Sequence, residues 1–184
     1  VHYPVRNGTL INVVAIVNDT WAEPGWDAKG ARDQLLEHFS PWNWAEPVRE
    51  FLGVPNRWLK WALYDMPPLH SWGDGPITLL GDAAHPMLPF LAQGAAMAIE
   101  DAETLAGHVS ARPDSLPAAL TAWEKERRQR IRRVAQRGRF NKFVWHAAGP
   151  VARVRNLLLR SRKPEKLASE LDWLYGWTPP SLKL

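Results

Sequence analysis

Ile77-Thr78-Leu79-Leu80-Gly81-Asp82-Ala83-Ala84-His85-Pro86-Met87-Leu88-Pro89-Phe90-Leu91-Ala92-Gln93-Gly94-Ala95-Ala96-Met97-Ala98-Ile99-Glu100-Asp101 is the stretch on which the fold turns. Ile77 to Leu80 has the composition of a short buried strand. It runs into Gly81-Asp82, a proline-punctuated loop, and then Gly94, which opens a helix whose face of Ala95, Ala98, Ile99, Ala102, Leu105 and Ala106 repeats every three or four residues. Asp82 is expected at the carboxyl end of the strand, where open α/β sheets bind ligands. A carboxylate there can accept hydrogen bonds from the hydroxyls of a sugar-like chain. Gly81, with no side chain, and the small Ala83 and Ala84 permit close approach. Gln93-Gly94-Ala95-Ala96 places free backbone N–H groups at a helix start. Such a start favours an anionic ring or phosphate by about 0.3–1 kcal/mol when exposed. From these residues alone, a ligand cradle and plain close packing of a Gly/Ala-rich strand–loop–helix both remain open.

Working outward, the N-terminal side is predicted to be a mixture of strands and short helices. His2-Tyr3-Pro4-Val5-Arg6 and the β-branched run Thr9 to Val17 flank Asn7-Gly8, a hairpin signal that predicts a two-residue type I′ turn. Asn18 to Gly30 is predicted to be loop, Ala31–Phe39 and Glu46–Val54 helices, Trp42–Pro47 a turn region and Arg57–Tyr64 a strand. The C-terminal side is helical. A long helix is expected from a Ser115 cap near Leu116 to about Arg137, with Ala119, Leu120, Trp123, Arg127, Ile131 and Val134 on its face and an interruption at Gly138. Further helices are expected over Val151–Arg160 and Pro164–Tyr175. Strands and short helices followed by helices alone make an α+β class, organised as residues 1–76, 77–112 and 113–184. The opening in mid-strand, without Met, is what a piece of a longer protein would show.

Composition narrows the function classes. With 184 residues, 46% of them apolar and 11 Trp, the chain can bury a core and is not a disordered segment. There is no Cys, which removes disulfides, thiolate metal sites and Cys nucleophiles. The longest central uncharged run, Pro86 to Ile99, is too short and too broken by Pro and Gly to span a bilayer. With no signal peptide at the start, the expected setting is cytoplasmic, without membrane attachment. Residues 115–184 carry 16 Lys/Arg against 5 Asp/Glu, so the basic character is concentrated there. The basic run Lys125–Arg139 lacks interleaved aromatics, which argues for a solvated or docking helix face and against nucleic acid. The histidines at 2, 38, 70, 85, 108 and 146 have no ligand spacing, so no metal site is expected and His85 is assigned to bracing its loop. There is no Gly-x-Ser-x-Gly. Glu100-Asp101 is expected to pack or cap, because adjacent helical side chains diverge by about 100°. The tryptophans are expected mainly in cores or interfaces.

The central stretch resembles the second flavin-binding motif of the FAD-dependent aromatic hydroxylases, the single-component flavoprotein monooxygenases of the salicylate and hydroxybenzoate type. The residues concerned are Gly81-Asp82-Ala83-Ala84-His85, Pro89, Gln93-Gly94 and Glu100-Asp101-Ala102. His2-Tyr3-Pro4-Val5-Arg6, Lys60-Trp61-Ala62-Leu63-Tyr64 with Trp72, and Trp123-Glu124 with Arg127, Arg128 and Arg130 are similar to the motif's surroundings in that family. The resemblance implies the C-terminal part of a Rossmann-like FAD-binding monooxygenase fold: substrate-domain strands, then a flavin-contacting strand–loop–helix, then a helical region. It implies that Asp82 holds the ribityl chain near the pyrophosphate, with Gly81 beside it. Pro89 would lie over the flavin near the substrate, and Gln93, Gly94, Ala95 and Ala96 would face the pyrimidine edge of the ring. His2 or Tyr3 would face the substrate. The implied reaction hydroxylates a phenolic aromatic acid: NAD(P)H reduces FAD, O2 adds at C4a, and the hydroperoxide transfers one oxygen. No Gly-x-Gly-x-x-Gly occurs in the chain. The alternative is therefore a catalytically incomplete C-terminal fragment that needs a partner chain carrying that half, with a homodimer as a further possible assembly.

Overall fold

The computed structural model describes residues 1–40 and 44–179; Trp42 and Pro180 lie outside them. The chain divides into two compact units, Val1–Leu63 and Tyr64–Leu184.

In the first unit, β1 (His2–Val5) and β2 (Leu10–Val13) form the expected antiparallel hairpin, in register from His2 opposite Val13 to Val5 opposite Leu10. The turn differs from the expectation. It is a four-residue loop, Arg6–Thr9, with left-handed backbone at Arg6, Asn7 and Gly8 and closing bonds from Gly8 N to Val5 O and Thr9 N to Arg6 O. Glycine and asparagine tolerate this conformation, and placing Arg6 in it as well lengthens the loop. β3 (Asp27–Gly30) pairs antiparallel with β4 (Trp58–Trp61) in a stretch expected to be loop. Asp-Ala-Lys-Gly has weak strand propensity, and pairing with the Trp-rich β4 overrides it. The edge-on Trp26–Trp61 pair, with ring centroids 4.7 Å apart, fastens the outer end of that ribbon. Between the two ribbon strands lie α1 (Arg32–His38) and α2 (Glu46–Gly53), where Arg49 Nε donates to Phe39 O at 2.8 Å.

In the second unit, β5 (Gly73–Asp74) and β6 (Ile77–Thr78) form a two-residue antiparallel pair. The expected buried strand Ile77–Leu80 is thus half as long and is not buried: Ile77 is 71% exposed, and Leu79 and Leu80 are exposed too. No parallel neighbour covers it among the described residues. Asp82 accordingly sits in a 3₁₀ turn (Gly81–Ala83) and not at the end of a buried strand. α3 (Gly94–Ala111) packs along α4 (Leu116–Trp145). α4 runs straight through Gly138, where an interruption was expected. A helical Gly costs about 1 kcal/mol relative to Ala, too little to end a helix held along its length by packing. Ser115 occupies the N-cap position as expected, but its hydroxyl makes no cap bond. α5 (Gly149–Ser161) follows, and the expected helix over 164–175 divides into α6 (Pro164–Ser169) and α7 (Asp172–Tyr175). The division turns Leu174 into the core, which comprises Trp72, Ala84, Met97, Trp123, Ile131, Val134 and Leu174. The fold is a mixture of helix and sheet, in agreement with the α+β expectation.

Candidate functional site

The centre of the second unit is a buried ionic cluster. Asp101, on the inner face of α3, is fully buried. It accepts hydrogen bonds from Gly81 N at 3.1 Å, His85 Nε2 at 2.5 Å and Arg127 Nε at 2.6 Å. Glu100 accepts from Arg127 Nη1 at 2.8 Å and Arg130 Nη2 at 2.9 Å. Glu100 and Asp101 take the packing role expected of them, and one side chain reaches both. The planar, multi-donor guanidinium of Arg127 spans the angle between adjacent residues and binds both. Trp123 Nε1 donates to Thr104 Oγ1 and to Asp101 O, so the indole is satisfied inside the core. Trp177 and Trp173 lie against Arg127 and Arg130, capping the cluster from the C-terminal side.

Burial favours the neutral form of Asp101, but the hydrogen bonds from His85 and Arg127, together with their charges, outweigh it and hold its carboxyl below the usual aspartate range. An ionised carboxylate only accepts, so the proton in the His85–Asp101 contact resides on His85 Nε2. His85 thereby braces the loop, as its position in the sequence suggested.

This cluster fixes the chain on both sides of the loop. Gly81 has φ +57°, and a Cβ built there would lie 3.2 Å from Ala98 Cβ. The close approach recorded at Gly81 is therefore that of the turn to helix α3. Farther on, Phe90 is buried, with its rings neighbours Trp145 and His146 and its carbonyl accepting from Asn141 Nδ2 at 3.0 Å. Ala92 adopts left-handed backbone and leads into α3.

On the open side of the same turn, Asp82 is exposed. Its Oδ1 would lie 3.6 Å from a Cβ on Gly94, so the carboxylate stands beside the first residue of α3. No side chain caps α3, and the first amide returning to the chain there is Met97 N, bonded to Gln93 O. The N–H groups of Gly94, Ala95 and Ala96 are thus the orphan donors of the first turn. Pro89 is exposed on the second 3₁₀ turn, Pro89–Leu91. Of the residues singled out in the sequence, Asp82, Gly94 and the α3 amides come together, with Gly81 beneath them. His2 and Tyr3 belong to the other compact unit, where both are exposed and the His2 ring contacts Phe51 edge-on. Phe90 and Asn141 carry no signal in the sequence that marks them for the hydrogen bond between them. Arg127 was visible only as a cation placed on the apolar stripe of α4, four residues after Trp123.

Residues 51–138 match the family model described as FAD binding domain. The chain is 34% identical over 177 residues to a 3-hydroxybenzoate 6-hydroxylase of Polaromonas naphthalenivorans (strain CJ2), covering 96% of this chain and 44% of that protein. It is 35% identical to a salicylate hydroxylase of Pseudomonas putida, covering 95% of this chain and 41% of that one. Over nearly its whole length the chain is similar to part of each of these aromatic hydroxylases. Its fold agrees with this: a solved salicylate hydroxylase substrate complex superposes with a TM-score of 0.74 at 26% identity, over 96% of this chain and 44% of that one. The chain spans less than half the length of these hydroxylases. No helix among its described residues is long and apolar enough to cross a membrane, and no group of three metal-ligating side chains occurs among them.

Proposed function

We propose that this chain supplies the flavin-contacting part of an FAD-dependent monooxygenase that hydroxylates a phenolic aromatic acid of the hydroxybenzoate or salicylate kind, using O2 and NAD(P)H. The observation that carries this is the closeness of the exposed Asp82 carboxylate to the uncapped start of α3. The residues present suit FAD: an exposed carboxylate to accept from ribityl hydroxyls, a glycine beside it, and three free amides for an electron-rich ring edge. When bound, the flavin supplies the redox and oxygen-transfer chemistry. The chain's own part is to hold and orient. Asp82 fixes the ribityl chain. Gly81 and Gly94 keep the wall thin. The amides of Gln93 to Ala96 present partial positive charge where reduction leaves the ring anionic. Pro89, exposed on its rigid 3₁₀ turn, forms a wall near the substrate. The Asp101–Arg127 cluster is buried and serves as a positioning element for the turn, through Asp101 accepting from Gly81 N.

The test is absorbance and NAD(P)H oxidation. The purified chain should take up FAD and, with salicylate or 3-hydroxybenzoate, accelerate NAD(P)H oxidation, and Asp82→Ala should abolish flavin retention while the protein stays folded. FAD retention unaffected by Asp82→Ala overturns the assignment of Asp82.

A second reading is favoured by the exposure of Ile77, Leu79, Leu80 and Ile99 around this turn and helix, together with the chain's share of its relatives' length. In it the chain is catalytically incomplete, and a partner chain bearing a dinucleotide-binding half covers that face. A colourless chain that gains flavin only with such a partner favours it.

A further inference from the structure

A concavity in the Tyr64–Leu184 unit has no part in the contacts assigned to Asp82 and Gly94. It is a cleft of about 130 Å³ between residues 65–69, the loop 84–91 and one face of α4. Gln93 reaches its lining, whereas Asp82, Pro89 and Gly94 do not. Its walls are apolar, with Met66, Met87, Leu88, Ile131 and Val134 prominent. Two polar features interrupt them. His85 lines the cleft, its side chain is 5% exposed, and its Nδ1 has no hydrogen-bond partner. This nitrogen is the one left over once Nε2 is committed to Asp101. A buried polar atom without a partner is unusual enough to call for a ligand or water.

Arg132 and Arg139 also line the cleft, and neither makes a hydrogen bond or ion pair among the described residues. Arg128 lines it too but is engaged by Glu124 and Leu69 O. The exposed Asp65 is the one opposing carboxylate in the lining. Cations therefore prevail there. Apolar protein cavities of about 150 Å³ accept a benzene ring, so the space corresponds to a single aromatic ring. Methionine sulfur makes favourable contacts with such rings.

We propose that this cleft binds a one-ring aromatic carboxylate at a site separate from the contacts assigned to Asp82 and Gly94. The ring lies among Met66, Met87 and Ile131, the carboxylate meets Arg132 and Arg139, and His85 Nδ1 meets a ring hydroxyl or the ring edge. This rests on the cleft alone and not on flavin binding. The experiment is a ¹⁹F NMR titration of the purified chain with 4-fluorobenzoate, without flavin. Gly138 lines the cleft from a helical position, and a Cβ there meets nothing within 4 Å, so Gly138→Phe is the variant chosen to fill the space.

The expected result is saturable binding at about 1–10 mM, the range for so few ligand atoms. Gly138→Phe and the double variant Arg132→Glu/Arg139→Glu should each weaken it by about tenfold or more. Absence of saturation, unchanged binding in both variants, or equally tight binding of uncharged fluorobenzene overturns the proposal. The flavin assignment is read separately, by FAD uptake of the unmodified chain. A chain that binds FAD but not 4-fluorobenzoate sinks this proposal alone, and the converse sinks only the flavin assignment.

Discussion

The two faces of helix α3 do different things with the same small-residue sequence. The inner face carries Met97, Asp101 and Thr104, all fully buried against α4 and the Gly81 turn. Every polar group there is engaged, with Asp101 accepting from three donors and Thr104 bonded to Glu100 O and to Trp123 Nε1. The outer face carries Ala95, Ile99 and Ala102 in solvent, Ile99 at 69% exposure, and the exposed Asp82 carboxylate stands beside the uncapped start of the helix. One face spends its chemistry on holding the loop in place, and the other leaves its chemistry available. Stability and ligand binding should therefore separate cleanly when the two faces are mutated in turn.

The sharpest way to break this contrast is at the cluster. Arg127→Met removes the guanidinium shared by Asp101 and Glu100 and leaves two carboxylates short of a partner in a buried site. Breaking a buried ion pair in this way costs about 3–5 kcal/mol. Urea denaturation should show a midpoint lowered accordingly. A loss below about 1 kcal/mol would mean that apolar packing of Trp123 and Met97 alone holds the helices together.

The same cluster should make stability depend on acid. The Asp101 carboxyl is held below the ordinary aspartate value by its donors, so the unfolded chain binds its proton first as pH falls. Asp101 therefore contributes its full stabilisation above about pH 4, the ordinary aspartate value, and loses it as the pH drops through the lowered folded value. Against Asp101→Asn, which lacks this titration, the wild-type advantage should be level from about pH 5 upward and shrink below about pH 4. A gap that stays constant between about pH 2 and 5 would detach the cluster's stabilisation from Asp101 ionisation.

Gly81 lies between the two faces and gives the next effect in size. Its backbone is left-handed, which costs an ordinary L-residue about 1–2 kcal/mol, and the added methyl would press Ala98 at 3.2 Å. Gly81→Ala should lower stability by roughly that amount in thermal melts, and it should also weaken FAD retention, because the turn it distorts carries Asp82. A variant as stable as wild type would show that the turn relaxes without help from glycine.

What could be read in the sequence, and what could not, follows the same division. The hairpin, α1 to α3, the start of α4 and the mixed class were visible, because they rest on local signals: Asn-Gly, helical periodicity and the Gly81–Asp101 string. The closeness of Asp82 to Gly94 was visible for the same reason, since the two are twelve residues apart in one strand–loop–helix unit. β3 was missed because its pairing with β4 is non-local and its residues have no strand preference. The burial of Ile77–Leu80 was overestimated because apolar composition reports a tendency to be covered, and no neighbour covers this segment among the described residues. The convergence of Glu100 and Asp101 on Arg127 was missed because helix geometry fixes Cβ directions alone, and a guanidinium on a second helix reaches across the angle between them.

The outer face should yield the smallest stability changes and thereby the most discriminating result. Ile99→Ser removes an exposed side chain, and Asp82→Asn removes an exposed charge. Substitutions at such positions usually stay within about 0.5 kcal/mol. Both variants should therefore melt with the wild type. Their effects should appear in binding: Asp82→Asn in weakened FAD retention, through loss of the carboxylate beside α3, and Ile99→Ser in weakened association with a dinucleotide-binding partner, through loss of apolar contact area. If either variant instead lowered stability as much as Gly81→Ala, the outer face would be part of what holds this unit together. Its exposed leucines and isoleucines would then need a structural explanation in place of a binding one.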